Sequence, residues 1–154
     1  MGILKFDICN RGVTIRVSGI LVRDNTVLLI AHKKKGEIYW LLPGGEIEYG
    51  ESLSQALKRE FREELGIVID VNEVAVICDS IEPHGKRHIL NISFRCCYRS
   101  GEYRLGSDRR LHDYAFFELR EIPCIRLYPP INGTLVAILE YKKHDIYEGS
   151  LWRD

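Results

Sequence analysis

The chain has 154 residues, 45% apolar and 29% charged, which suits one globular domain spanning residues 1–154 with a sizeable core. Its 22 Lys and Arg balance its 22 Asp and Glu, so the simple electrostatic case for a nucleic-acid or membrane-surface binder is absent. No apolar run approaches the roughly 20 residues of a membrane span.

The opening MGILKFDICNRG has no signal-like apolar core, and Asp7 stands where a myristoylation motif wants Ser or Thr. The five cysteines, Cys9, Cys78, Cys96, Cys97 and Cys124, form no C-x-x-C pair. They read as small apolar residues in a reducing, cytoplasmic setting.

In chain order, residues 13–23 read as a strand and 26–32 as its partner across the turn Asp24-Asn25. Residues 33–37 form a charged loop; its lysines, Lys33, Lys34 and Lys35, could meet phosphate, but a solvated loop is the expectation. A short strand, 38–42, runs into the loop Pro43-Gly44-Gly45, with Trp40 expected in the core. A helix follows over 53–65. Ser52 and Gln55 make a capping box, and Gly66 is a natural C-terminal cap. Residues 74–82 read as a strand, Pro83 to Lys86 as a turn, and 87–99 as an alternating strand with Leu90, Ile92, Phe94, Cys96 and Tyr98 on one face. In that strand Cys96 and Cys97 point to opposite faces, and His88 is expected to be packed. A polar loop (102–113), a strand (114–119) and a last helix (134–143) complete the chain. Leu135, Ile138 and Leu139 are that helix's buried stripe. The tail with Ile146, Tyr147, Leu151 and Trp152 either folds back or packs on a second subunit, so a homodimer is one expectation.

The helix at 53–65 breaks its own pattern. At about 100° per residue, Leu53, Ala56, Leu57, Phe61 and Leu65 share one arc. Glu60 and Glu64 fall inside that arc, and Glu63 falls at its edge. Charges on a core-facing stripe are costly unless paired or bound to a cation. This helix therefore reads as a cation site, and its hard oxygen donors suit Mg²⁺ or Mn²⁺. Arg59, four residues before Glu63, is placed to orient it. Glu51, just before the helix, could cap, brace the loop or reach a water on the metal.

The order Gly45, Glu51, Arg59-Glu60, Phe61, Glu63-Glu64, Gly66, Ile67 resembles the signature of the Nudix hydrolases, G-x5-E-x7-R-E-U-x-E-E-x-G-U, at every specified position. The preceding Trp40-Leu41-Leu42-Pro43-Gly44-Gly45 resembles the family's approach to it. The resemblance implies an α/β fold, an α/β/α sandwich with a mixed sheet, and Mg²⁺-dependent hydrolysis of a diphosphate in a small nucleotide substrate. Glu60, Glu63 and Glu64 would hold the metal, with a backbone carbonyl of Gly44 or Gly45. Glu51, Arg59, Glu63 and Glu64 would be catalytic. A downstream acid is also implied. Asp108 is favoured over Glu102 and Asp113. Pro83, sixteen residues past Ile67, resembles the pattern of ADP-ribose pyrophosphatases. The rivals are hydrolysis of a nucleoside triphosphate, hydrolysis of an RNA 5′ end, a diphosphate isomerase, and a non-catalytic nucleotide sensor.

Overall fold

The computed structural model describes residues 12–152; the readings on Met1, Gly2, Asp7 and Cys9 lie outside them. Nine strands and two helices follow in the order β1 Thr14–Arg23, β2 Thr26–Lys34, β3 Glu37–Leu41, β4 Gly44–Glu46, α1 Leu53–Leu65, β5 Ile67–Ile81, β6 His88–Gly101, β7 Leu111–Glu118, β8 Leu127–Tyr128, α2 Asn132–Leu139 and β9 Tyr147–Ser150. A 3-10 turn, Ile122–Cys124, precedes β8.

The strands make one mixed sheet in the order β8-β3-β2-β1-β6-β5-β9, with β4 beside β1 and β7 beside β2. β1 lies parallel to β6 from Thr14↔Ile89 to Leu21↔Cys96. Its pairing with β2 is confined to the hairpin end, at Val22↔Val27 and Arg23↔Thr26. Below that end β4 takes the free edge of β1, pairing Arg16 with Glu46 and Ser18 with Gly44. β1 and β2 therefore splay apart, and the gap between them becomes the cleft described below.

The core has two halves, one on each face of the sheet. Ala56, Leu57, Phe61 and Leu65 of α1 pack with Val17, Leu21, Ile30, Ile67 and Ile69. Leu135, Ile138 and Leu139 of α2 pack with Ile20, Leu29, Val76 and Ile122. This is the expected α/β/α layering, and burying each helix's apolar stripe against the sheet explains it.

Several boundaries differ from the expectations. β5 starts at Ile67, directly after the helix cap, because Ile67 and Ile69 are buried beneath α1. The charged loop shrinks to the turn Lys35-Gly36; both residues have positive φ (51° and 85°), as a tight hairpin turn requires. α2 stops at Leu139, with Glu140 as its cap and Tyr141 at φ 55°. The apolar-aromatic tail folds onto its own domain: β9 pairs with β5. Cys96 is buried and Cys97 exposed, as alternation required. Trp40 packs edge-on against Phe117 at 4.6 Å between ring centroids. No helix among the described residues is long and apolar enough to cross a membrane.

Candidate active site

α1 carries the acidic residues, and its ends are fixed locally. Ser52 Oγ accepts from the Gln55 amide (3.2 Å), and Gln55 Oε1 accepts from the Ser52 amide (2.8 Å). Gly66, at φ 71°, closes the other end. There the loop after β6 satisfies free helix carbonyls: the Arg104 amide donates to Leu65 O and the Gly106 amide to Glu64 O, both at 2.9 Å. These two bonds set the loop's path and bring Ser107 and Asp108 to the rim of a cleft of about 1590 Å³.

One wall of that cleft is the acidic face of α1. Glu64 is 9% exposed and accepts a hydrogen bond from the Gly44 amide at 2.9 Å. Burial pushes its carboxyl up to about 8, against the opposing pull of Arg16 and the Gly44 amide. Glu60 lies against the backbone at Gly45, where a Cβ would land on its carboxylate. Gly44, at φ 145°, lies so close to the Val17 carbonyl that no side chain fits. The two glycines therefore let the β4 backbone lie flush against two carboxylates. Glu63 is the exposed member, its side chain 59% accessible.

Arg59 ties this wall together. Its Nε and Nη2 grip both oxygens of Glu51 (2.7 and 3.0 Å), Nη1 donates to Glu60 (2.7 Å) and Glu63 (3.3 Å), and Nη2 reaches the Glu46 carbonyl (3.2 Å). The sequence expectation linked Arg59 chiefly to Glu63, yet its short contacts go to Glu51 and Glu60. The reason is reach: Glu51 sits beyond the helix start, where a planar fork can bind both oxygens at once. Arg59 and the Glu48 amide hold the Glu51 carboxyl down at about 2. Glu51 does not line the cleft. It is a brace for Arg59.

The other walls carry residues that sequence reasoning passed over. Arg16 on β1 donates to the carbonyls of Leu42 (3.0 Å) and Gly44 (3.1 Å), holding the loop from beneath. A lone arginine in a core strand was the available signal. His32, Tyr39, Arg110 and Tyr128 also line the cleft, with Lys34 and Lys35 at its rim. Burial, with Arg16 and Arg110 nearby, pulls His32 down to about 4, so it is neutral at pH 7. Of the three downstream acids, only Asp108 lines the cleft. Its two oxygens are taken by Arg110, at 3.2 Å from Nε and 2.8 Å from Nη2, and Arg110 holds its carboxyl near 2. Asp113 caps the Tyr114 amide at 2.8 Å. Glu102 packs its carbonyl near Gly66. Pro83 lies in the β5–β6 turn, outside the cleft lining, whereas Arg87 from the same turn reaches the cleft.

Among the described residues, no three acid, histidine or cysteine side chains converge as a metal cage. Arg59 holds Glu60 and Glu63, Glu64 faces Gly44, and the Gly44 carbonyl is occupied by Arg16. The donor set nevertheless fits a hard dication. All three glutamates line one cleft, all are oxygen donors, and the glycine backbone leaves Glu60 room.

A sequence model of the NUDIX domain matches residues 13–137. The chain belongs to the Nudix hydrolase family. Members of that family act on phosphorus-containing acid anhydrides and generally use divalent metals. Among curated relatives, an ADP-ribose pyrophosphatase of Methanocaldococcus jannaschii is 33% identical over 112 residues, 71% of this chain; the match spans 64% of that relative's length. A putative 8-oxo-dGTP diphosphatase 2 of Mycobacterium tuberculosis is 34% identical over 69% of this chain and 76% of its own. Among solved structures, a MutT NUDIX hydrolase from Burkholderia pseudomallei is similar at TM-score 0.65 and 27% identity, covering 71% of this chain and 85% of its own. A NUDIX hydrolase from Nitrosomonas europaea reaches TM-score 0.74 at 22% identity over 84% of this chain and 90% of its own, a likeness of fold.

Proposed function

We propose that this Nudix hydrolase is Mg²⁺-dependent and cleaves the diphosphate linkage of a nucleoside diphosphate derivative, with ADP-ribose or a related nucleotide sugar as substrate. One observation carries the reading: Glu60, Glu63 and Glu64 line a single cleft together with Arg16, Arg110, Lys34 and Lys35. Carboxylates suit a dication, and the cations in the same cleft suit the phosphates that share it.

Glu60, Glu63 and Glu64 would hold the ion, which supplies charge neutralisation at the phosphoryl oxygens and acidifies water. Arg59 sets the directions of Glu60 and Glu63 and is itself held by Glu51. Glu63 is the least tightly held of these carboxylates and the most exposed, so it is placed to take a proton from water. Asp108, locked to Arg110, stays ionised and positions that guanidinium rather than acting as base.

The likeness to the ADP-ribose pyrophosphatase of Methanocaldococcus supports ADP-ribose. A nucleoside triphosphate is the second reading, favoured by the Mycobacterium relative, more of whose length is matched. Comparing kcat/KM for ADP-ribose with a panel of nucleoside triphosphates, in Mg²⁺ and in EDTA, tests both points. The expected products of ADP-ribose are AMP and ribose 5-phosphate. A triphosphate preferred by about tenfold, a difference of roughly 1.4 kcal/mol, rejects the substrate assignment. Full activity in EDTA rejects the metal.

A further inference from the structure

His32 is held near the end of β2 by its neighbours. β2 pairs Ala31 with Asp113 but His32 with Leu111, so one step on β2 meets two on β7, and His112 is the extra residue. Such a bulge bends the strand that carries it. Just past it the Lys33 amide donates to the Arg110 carbonyl at 3.2 Å, which keeps Arg110 alongside β2. On the other side β3 sets Tyr39 opposite His32. The two rings meet edge to face at 5.7 Å, and Tyr128 backs Tyr39 at 5.3 Å. Aromatic packing therefore braces the imidazole.

Its nitrogens are left open. No described group hydrogen-bonds either of them, and no buried side-chain nitrogen or oxygen among the described residues lacks a partner. Both nitrogens are therefore accessible to solvent, in a residue that lines the cleft.

The charges around this ring come from several elements. Arg16 of β1 and Arg110 before β7 act against a proton on it, and Asp108 acts for one. Arg110 grips both oxygens of Asp108, so the balance stays positive. Lys34, two residues along β2, lines the same cleft and lies opposite Glu37 of β3. A neutral imidazole thus stands among cations. An oxyanion placed there reverses the balance: it offsets the guanidinium charges and offers a strong acceptor to an imidazolium N–H.

We propose that His32 is a phosphate-binding residue that takes up a proton when a phosphate or diphosphate enters the cleft and then donates that N–H to a phosphoryl oxygen. The proton comes from solvent and returns there when the anion leaves. The inference rests on the phosphate-binding half of the proposed function and not on its hydrolytic step. Because His32 holds its proton more firmly in the complex than in the free protein, the anion binds more tightly as pH falls from about 6.5 toward 4, and His32 adds little above about pH 7.

The test follows the imidazole C–H resonance of His32 by NMR across this pH range, assigned by its loss in His32→Gln. It is read in the free protein, with adenosine, and with the methylene analogue of ADP in Mg²⁺, whose P–C–P bridge resists hydrolysis. The midpoint is expected to rise from about 4 in the free protein to near 6.5 with the analogue, and to stay low with adenosine. A midpoint that stays low with the analogue bound, one that rises equally with adenosine, or a protein that does not bind the analogue overturns the inference. Calorimetric Kd values for the analogue at about pH 5.5 and 7.5 give a second reading. Between them wild type should gain about tenfold more affinity than His32→Gln. The ligand's own titration is common to both proteins, so equal gains overturn the inference. A protein whose His32 responds to the analogue yet which hydrolyses neither ADP-ribose nor triphosphates defeats the proposed function and leaves this inference standing. One that hydrolyses ADP-ribose while His32 keeps its low midpoint defeats this inference alone.

Discussion

At the scale of residues, the carboxylates around Arg59 have separable roles. Glu64 is buried beside Arg16 without a full ion pair, so its charge has value mainly when a cation is present. Glu64→Gln is expected to lower kcat/KM by about 10²-fold or more. In EDTA its melting temperature should equal or exceed that of wild type. An active Glu64→Gln enzyme would remove this residue from the site. Arg59→Ala is expected to cost less, about 10–100-fold, because Arg59 acts by orienting other groups. Steady-state kinetics at saturating Mg²⁺ rank the two; a larger loss in Arg59→Ala would place the guanidinium on phosphate instead. Glu51 gives a pH signature. Its folded carboxyl sits near 2, below its unfolded value, so its contribution to stability is present above pH 4.5 and lost as pH falls through about 2. Thermal melts of Glu51→Gln should therefore fall below wild type at pH 7 and converge with it near pH 2. A constant gap across that window would show that charge is not what Glu51 supplies.

At the scale of elements, the site depends on how α1 is anchored and how close β4 lies to it. Ser52→Ala removes the acceptor for the Gln55 amide and should cost about 1 kcal/mol. For a chain of this size that is a fall of about 2–4 °C in Tm. Activity at low temperature should be little changed, because the glutamates lie two turns further on. Gly45→Ala should do the reverse. Its Cβ would displace the Glu60 carboxylate, so activity should drop while circular dichroism stays native. Full activity in Gly45→Ala would mean that Glu60 need not lie against the β4 backbone. The sequence made α1 legible to the residue because both caps and the apolar stripe are local signals. The first part of β5 was missed, although Ile67, Ile69 and Val71 alternate, because the helix motif ends on Ile67. β4 was read as loop. Three residues of Gly-Gly-Glu have no strand propensity, and only the free edge of β1 makes them a strand.

At the scale of the whole molecule, the splayed β1 and β2, the tied loop 102–110 and the segment after α2 all line one cleft, which also holds the metal-type carboxylates. Binding of a dication there should stabilise the fold by mass action: about 2.7 kcal/mol at a hundred times its Kd. Mg²⁺ should thus raise the melting temperature of wild type, and much less that of a Glu60→Gln, Glu64→Gln double variant. An equal rise in both would locate the ion elsewhere. The sequence by itself determined the family, the helix and its acidic face, because spacing along one helix fixes which side chains share a face. It also determined the layered α/β fold through the resemblance those residues carry. Tertiary structure alone decided which carboxylate Arg59 grips, that Arg16 holds the glycine loop, that Asp108 is spent on Arg110, and that Trp152 reaches the cleft. Each of these is a contact between segments distant in the chain or across a turn. Such contacts are set by strand register and loop path, which local periodicity does not encode.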